Sequence, residues 1–111
     1  MDEEKGLTLE LPGGEEIYFY DKELVIGRED FIGIIPDEEL KYITRKSNPD
    51  DPEKKQFEIV FEDGEYYIID ENSHNNTALN NKNIRGKGMI QLEDEDEIKV
   101  PGGTTINVRI F

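Results

Sequence analysis

Short runs in which every second residue is apolar follow one another along the chain. Residues 7–11 (LTLEL) and 57–61 (FEIVF) are two such runs. This alternation is typical of a β-strand that buries one face and leaves the other in water. Turn-forming residues separate the runs at the roughly 8–12-residue spacing of sandwiches and barrels. The sequence therefore predicts an all-β fold of ten or eleven short strands.

The predicted strands are interrupted by one recognisable hairpin and one short helical stretch. Asp63-Gly64 predicts a tight hairpin, because both residues tolerate positive φ. Residues 36–40 (PDEEL) predict at most one helical turn. We predict one domain over residues 7–111, preceded by a flexible N-terminus at residues 1–6. The predicted strands are 7–11, 17–20, 23–26, 31–35, 42–44, 57–61, 66–69, 77–79, 89–92, 98–100 and 104–111.

The acidic charge of the chain is unevenly distributed. There are 27 acidic and 13 basic residues, a formal net charge of −14. Such a charge repels nucleic acids and anionic membrane surfaces, so neither is expected as a partner. Residues 1–40 hold 13 acids and 3 bases, residues 41–89 hold 9 and 8, and residues 90–111 hold 5 and 2. Most of the negative charge thus lies outside the middle segment.

Signals for enzymes, cofactors and metals are scarce. The chain has no cysteine, which excludes disulfides and thiolate metal sites, and His74 is its only histidine. No Gly-rich phosphate loop opens a helix. The acidic run at residues 93–97 lacks the ligand and glycine pattern of a calcium loop and is interpreted as a solvated turn and strand edge. We expect a non-enzymatic domain without cofactor or metal.

The chain also lacks targeting signals. It begins MDEEKG, without the apolar run of a signal peptide. No stretch approaches the roughly 18 apolar residues of a membrane span. A cytoplasmic location is therefore expected.

Three polar clusters lie where strands are predicted to end, at residues 26–29, 43–48 and 70–80. Each combines strong hydrogen-bond donors with small side chains. Arginine offers a fork of donors suited to phosphate oxygens, and serine and asparagine add short, directional bonds. If the three clusters converge, they form a small donor-rich cup.

These clusters resemble the signature of the forkhead-associated (FHA) domain. That signature is a Gly-Arg pair after a strand, a Ser-Arg segment with a further Ser and a His, and a Ser-x-Asn-Gly-Thr-x-x-Asn loop. Here the chain reads Gly27-Arg28, then TRKSN at 44–48, then SHNNTALN at 73–80. The order and strand context match from about residue 7 to residue 111. The resemblance implies an eleven-strand β-sandwich that binds phosphothreonine peptides through loops at one end.

The resemblance also implies which residues meet the phosphothreonine. Arg28 is expected to bond the phosphate or to orient the site. Ser47 is expected to donate its hydroxyl to a phosphate oxygen, and Asn48 its backbone N–H. His74 occupies the position where the family usually has Thr or Ser facing the phosphothreonine.

Two further residues are implied to contact the rest of the peptide. Arg45 is expected beside the peptide, where it selects the residue three positions after the phosphothreonine. Asn75 is expected to hold the peptide main chain. Thr77 and Asn80 are interpreted as supports of the loop rather than as ligand contacts.

The chain departs from the family pattern at three places. Asn76 stands where the family has Gly, and we expect it to adopt positive φ, which Asn tolerates best after Gly. Gln56 stands near the family His and is expected to supply a substitute structural hydrogen bond. Residues 49–55 (PDDPEKK) are an insertion beside Ser47 and Asn48, expected either to reshape one wall of the cup or to place acids near it.

The leading hypothesis is a phosphothreonine-dependent interaction module that acts in signalling. Its partner would be a protein phosphorylated by a Ser/Thr kinase, and the module itself would be a monomer. The alternative is a phosphate-independent scaffold or self-association module on the same fold. A third reading, an acidic metal-binding or enzymatic domain, has the least support from the sequence.

Overall fold

A computed structural model describes residues 6–19 and 22–111 of the chain. Within this part lie ten strands, one α-helical turn, α1 (Asp37–Leu40), and two 3₁₀ turns, at Pro12–Gly14 and Arg28–Phe31. None of these helical segments is long or apolar enough to cross a membrane. The strands are β1 (Leu7–Glu10), β2 (Glu16–Phe19), β3 (Glu23–Ile26), β4 (Phe57–Glu62), β5 (Glu65–Asp70), β6 (Ala78–Leu79), β7 (Lys82–Asn83), β8 (Ile90–Gln91), β9 (Glu97–Val100) and β10 (Thr104–Ile110).

The strands form two antiparallel sheets that enclose one apolar core. The six-stranded sheet has the order β2-β1-β10-β9-β6-β7, and the four-stranded sheet has the order β3-β4-β5-β8. Alternate residues of the longer strands face the core, as Ile59 and Ile68 do in one sheet and Ile106 and Val108 do in the other. The predicted β-sandwich is confirmed.

Local turn chemistry also follows the sequence. Asp63 and Gly64 have φ values of 51° and 80° and close the β4–β5 hairpin, in which Glu62 pairs with Glu65. The helical turn expected at residues 36–40 is α1. Both predictions are confirmed, because each depends on the conformational preference of a few adjacent residues.

Two predicted strands, 31–35 and 42–44, are wrong. The N–H groups of Ile34 and Ile35 both donate to the carbonyl of Phe31, at 3.0 and 3.3 Å, which coils the segment into turns. Phe31 and Ile35 are buried in the core, whereas Ile32 between them is 66% exposed. Residues 42–44 continue from α1 as a turn, since the N–H of Ile43 donates to the carbonyl of Leu40 at 3.0 Å.

One strand, β7, is present in the structure but was not predicted from the sequence. Both of its residues are exposed, so they carry no apolar alternation.

The N-terminal prediction is only partly within reach of the structure. Residues 1–5, and Tyr20 at the end of the second predicted strand, lie outside the described residues. Gly6, assigned with residues 1–5 to a flexible N-terminus, exchanges two backbone hydrogen bonds with Phe111, at 3.0 and 3.1 Å. This pair extends the ladder between β1 and β10.

The register of the four-stranded sheet brings the three polar clusters to one end. Ile26, the last residue of β3, pairs with Phe57, the first of β4, and Phe57 pairs with Asp70, the last of β5. The segments that follow Ile26, precede Phe57 and follow Asp70 therefore leave the sheet at the same edge. We call them the first loop (27–30), the second loop (41–56) and the third loop (71–77).

Candidate functional site

Thr44 is the joint at which the three loops meet. Its carbonyl accepts the N–H of Arg28 from the first loop, at 3.0 Å. Its hydroxyl accepts the N–H of His74 from the third loop, at 2.9 Å. Its own N–H donates to the side-chain oxygen of Gln56, at 2.9 Å. Thr44 is 1% exposed, so these bonds are shielded from water. Losing a partner is costly in such a buried position, because water cannot replace it.

Gln56 extends this network toward the third loop. Its amide nitrogen donates to the carbonyl of Asn76 and to the hydroxyl of Thr77, both at 2.8 Å, and the residue is fully buried. Gln56 thus makes three side-chain hydrogen bonds, and the expectation that it supplies a structural bond is confirmed. Asn76 has a φ of 71°, which confirms the expected positive φ.

Arg28 and Asn75 hold the second loop from two sides. The Nε of Arg28 donates to the carbonyl of Ile43 at 2.9 Å, and its Nη2 donates to that of Lys41 at 3.2 Å. The side-chain amide of Asn75 donates to the intervening carbonyl, that of Tyr42, at 3.0 Å. Arg28 therefore orients the loop with two of its five N–H donors.

Gly27 lets the first and second loops approach each other. A Cβ at this position would lie 2.4 Å from the backbone nitrogen of Lys46 and 2.9 Å from its Cα. Those are backbone atoms, so no rotation of a side chain relieves the contact. The glycine of the Gly-Arg pair is thus required by close packing.

Glu29 ties the same two loops through its carboxylate. Its oxygens accept the N–H of Lys46 at 2.8 Å and the N–H of Ser47 at 3.2 Å, and the Lys46 ammonium lies 2.9 Å from Asp30. Burial opposes ionisation of Glu29. The backbone N–H donors of Lys46, Glu29 itself and Ser47, with the charge of Lys46, outweigh it and lower the pKa of Glu29.

A pocket of about 380 Å³ opens between the second and third loops. Four of the six predicted contact residues line it: Arg45, Ser47, Asn48 and His74. Arg28 and Asn75 are not among its lining residues. Asn75 instead borders a neighbouring hollow of about 200 Å³.

Several donors at this pocket are unused by the protein. Among the described residues, the Arg45 guanidinium, the Ser47 hydroxyl and the Asn48 backbone N–H have no acceptor. Arg45 and Ser47 are exposed. The arrangement can offer an anion one charged fork, one hydroxyl and one backbone donor at little cost in broken bonds.

The inserted segment 49–55 is folded back on Asn48. The side-chain amide of Asn48 donates to the carbonyls of Arg45 and Lys54, at 2.6 and 2.8 Å. The N–H of Lys55 donates to the carbonyl of Glu71, at 2.9 Å, which fastens the end of the segment to the third loop. As expected, the insertion forms one wall of the pocket, to which it contributes Pro49, Asp50, Asp51 and Lys54.

The third loop is supported from within. Buried Ser73 donates its N–H and its hydroxyl to the two carboxylate oxygens of Asp70, at 2.9 and 2.6 Å. Thr77 is buried against Gln56, so its expected role as a support of this loop is confirmed. Asn80 also makes structural bonds, but it lies beyond the third loop, in the β6–β7 turn, which it ties to Asp96 and to the N–H of Glu97.

The acidic run at 93–97 is a turn that leads into β9 at Glu97. The N–H of Glu93 donates to Asp96 at 2.8 Å, and that of Ile110 donates to Asp94 at 2.9 Å. Within residues 6–19 and 22–111, no group of three His, Cys, Asp or Glu side chains could hold a metal ion.

Sequence reasoning missed three residues that the geometry brings to the site. Thr44 and Glu29 join the loops, and Lys54 places a second cation on the pocket wall beside Arg45. The position of Glu29 directly after Gly-Arg was a signal. Which N–H groups it accepts depends on the tertiary approach of Gly27 to Lys46, which no local pattern encodes.

Charges around the site are balanced. The three loops hold six cations: Arg28, Lys41, Arg45, Lys46, Lys54 and Lys55. They also hold six anions: Glu29, Asp30, Asp50, Asp51, Glu53 and Glu71. The excess negative charge of the chain therefore acts from farther away, where the Debye length of about 8 Å at physiological salt screens it.

The sequence was compared with family models and with curated proteins. The sequence model of the FHA domain family matches residues 24–101. Curated proteins yield no match.

Solved structures resemble the whole fold. One, from a structural and functional analysis of phosphothreonine-dependent FHA domain interactions, has a TM-score of 0.70 and 27% identity, with 96% of this chain and 97% of that chain covered. The FhaA FHA domain, complexed with the intracellular domain of Rv3910, has a TM-score of 0.65 and 26% identity, with 95% and 99% covered. Mycobacterium tuberculosis EmbR, in complex with a low-affinity phosphopeptide, has a TM-score of 0.68 and 20% identity, with 94% of this chain and 24% of that chain covered; it shares the fold.

Proposed function

This chain belongs to the forkhead-associated domain family, and on that premise we propose that it binds phosphothreonine-containing segments of a partner protein. The observation that carries the proposal is the pocket between the second and third loops. It gathers Arg45, Ser47, Asn48 and His74, and the first three offer donors that no described residue uses. The same proposal has four further parts: the partner is phosphorylated by a Ser/Thr kinase, the domain acts in signalling, it is a monomer, and it is located in the cytoplasm.

The available donors are sufficient for a useful affinity. A phosphothreonine brings about −1.5 to −2 charges. Hydrogen bonds to charged groups contribute about 1.5–3 kcal/mol each. Three or four such bonds, reduced by the cost of association, reach the micromolar range, about −8 kcal/mol. Arg28 acts in this scheme by holding the carbonyls of Lys41 and Ile43, which fixes the start of the second loop.

Selectivity for phosphothreonine over phosphoserine would come from the threonine methyl group. Burying one methyl contributes about 0.8 kcal/mol, which is roughly a fourfold preference.

The test is a fluorescence anisotropy titration with a labelled phosphothreonine peptide and its unphosphorylated twin. The phosphopeptide should bind and the twin should not. Ser47→Ala should weaken binding about tenfold, because it removes one hydrogen bond to a charged group. Tyr18→Phe is the matched control: it also removes one hydroxyl, on β2 at the edge of the six-stranded sheet. Equal binding of both peptides, or unchanged binding by Ser47→Ala, would contradict the proposal.

The alternative, a phosphate-independent scaffold or self-association module, is favoured by one observation. A hollow of about 270 Å³ on the six-stranded sheet is lined by Tyr18, Arg109 and Phe111, and the two aromatic residues are 55% and 61% exposed. A partner bound there would be retained after phosphatase treatment and lost on Phe111→Ser. Light scattering that shows a dimer would favour self-association.

A further inference from the structure

The inserted segment 49–55 is fixed rather than free at the pocket. The N–H of Asp51 donates to the carbonyl of Asn48 at 3.1 Å, and the N–H of Lys54 donates to that of Asp51 at 3.0 Å. The Asn48 side-chain amide donates to the carbonyl of Lys54, and the N–H of Lys55 donates to the carbonyl of Glu71, so the C-terminal end of the segment is held to Asn48 and to the third loop. Charged side chains on such a segment present a defined pattern to a ligand.

The pocket wall carries charges of both signs, and two of them are unpartnered. The Asp51 carboxylate lies 3.7 Å from the Lys54 ammonium. Asp50 is exposed, lines the same pocket as Arg45, and has no hydrogen-bond or ion-pair partner among the described residues. Arg45 is equally unpartnered there. An occupant that satisfies both must carry an anion and a cation.

We propose that Asp50 makes the pocket selective for phosphopeptides with a lysine or arginine within two residues of the phosphothreonine. The inference rests on the proposed function, with one change from the role expected from the sequence: Arg45 meets the phosphate together with Ser47, rather than the residue three positions after it. An extended peptide advances about 3.3–3.6 Å per residue. Side chains one or two residues from the phosphothreonine therefore leave the backbone within about 7 Å of it, a distance comparable with the dimensions of a 380 Å³ pocket.

Affinity for basic peptides alone does not establish this role, because a chain of net charge −14 attracts any cation. The test therefore compares two variants that remove the same charge. Asp50→Asn changes the pocket wall. Asp63→Asn changes the tip of the β4–β5 hairpin, at the opposite end of the sheet, where φ is 51° and Asn is tolerated.

The experiment titrates each protein with phosphothreonine peptides. Each peptide carries Lys, Ala or Glu at one of four positions, one or two residues before or after the phosphothreonine. At the best position, the Lys peptide should bind the unaltered chain about threefold to fivefold more tightly than the Glu peptide, the upper range for one exposed ion pair. The Lys-to-Glu affinity ratio should be unchanged in Asp63→Asn and should fall to half or less in Asp50→Asn. The ratio should also fall in high salt.

The outcomes separate the two proposals. If phosphopeptides bind but the Lys-to-Glu ratio is the same in Asp50→Asn as in Asp63→Asn, or is absent from the unaltered chain, the role of Asp50 is overturned and the phosphopeptide site stands. If no phosphopeptide binds better than its unphosphorylated twin, both proposals are overturned.

Discussion

Replacing Gln56 should separate the loops at the predicted binding end. Gln56→Leu keeps most of the side-chain volume but removes the amide. The N–H of Thr44 and the carbonyl of Asn76 then lose their partners, whereas the hydroxyl of Thr77 keeps its bond to the Gln56 carbonyl at 3.2 Å. An unsatisfied buried group costs about 1–3 kcal/mol, and the N–H of Thr44 becomes one, whereas Asn76 is exposed and its carbonyl can bond water. The free energy of unfolding should therefore fall by about 2 kcal/mol. That is a large fraction of the 5–15 kcal/mol typical of a domain.

Equilibrium unfolding in urea measures this loss. Gln91→Leu is the matched control, because Gln91 is exposed and its side-chain amide bonds exposed Glu65, so the change should alter stability by less than about 0.5 kcal/mol. Gln56→His, which offers one donor and one acceptor, should recover most of the stability. A Gln56→Leu protein within about 1 kcal/mol of the unaltered chain, with unchanged phosphopeptide affinity, would refute the reasoning.

Three other substitutions test the loop contacts and the charges. Gly27→Ala should destabilise the domain by about 1–3 kcal/mol in urea unfolding and weaken phosphopeptide binding, because its methyl meets the backbone of Lys46; unchanged affinity would show that the loops need not touch. The lowered pKa of Glu29 means that its contribution to stability is present above its unfolded pKa, near 4.5, and is lost as pH falls through the folded pKa. Glu29→Gln should therefore destabilise at neutral pH and match the unaltered chain in acid, and equal stability at neutral pH would contradict this. Burial, together with two neighbouring carboxylates, raises the pKa of Glu58, so its charged form costs stability at neutral pH. Glu58→Gln should raise the urea midpoint there and lose its advantage below about pH 4.5, whereas a lower midpoint at neutral pH would oppose the sign.

The sandwich was predictable because its signals are local. Alternation in β1, β4 and β10, and the Asp63-Gly64 turn, each follow from a few adjacent residues. The run at 31–35 misled because a continuous apolar segment looks the same whether it extends or coils. In the structure Phe31 is buried from a turn rather than from a strand.

The sequence predicted which residues belong to the candidate site, but not how the three loops are held together. Motif order identified the three loops and the residues proposed to meet the phosphate. That the loops meet depends on the register of Ile26, Phe57 and Asp70 across three strands. The roles of Thr44 and Gln56 as joints are likewise tertiary, since each bonds residues 12 to 30 positions away. Sequence spacing alone carries no such distances.

The most direct test of the account is a ¹H–¹⁵N NMR titration of the domain with a phosphothreonine peptide. The account predicts that the amide signals of Ser47, Asn48 and His74 shift most, and that the unphosphorylated peptide leaves them in place. Shifts confined to the outer sheet face around Tyr18 and Phe111, or none with the phosphopeptide, would contradict it.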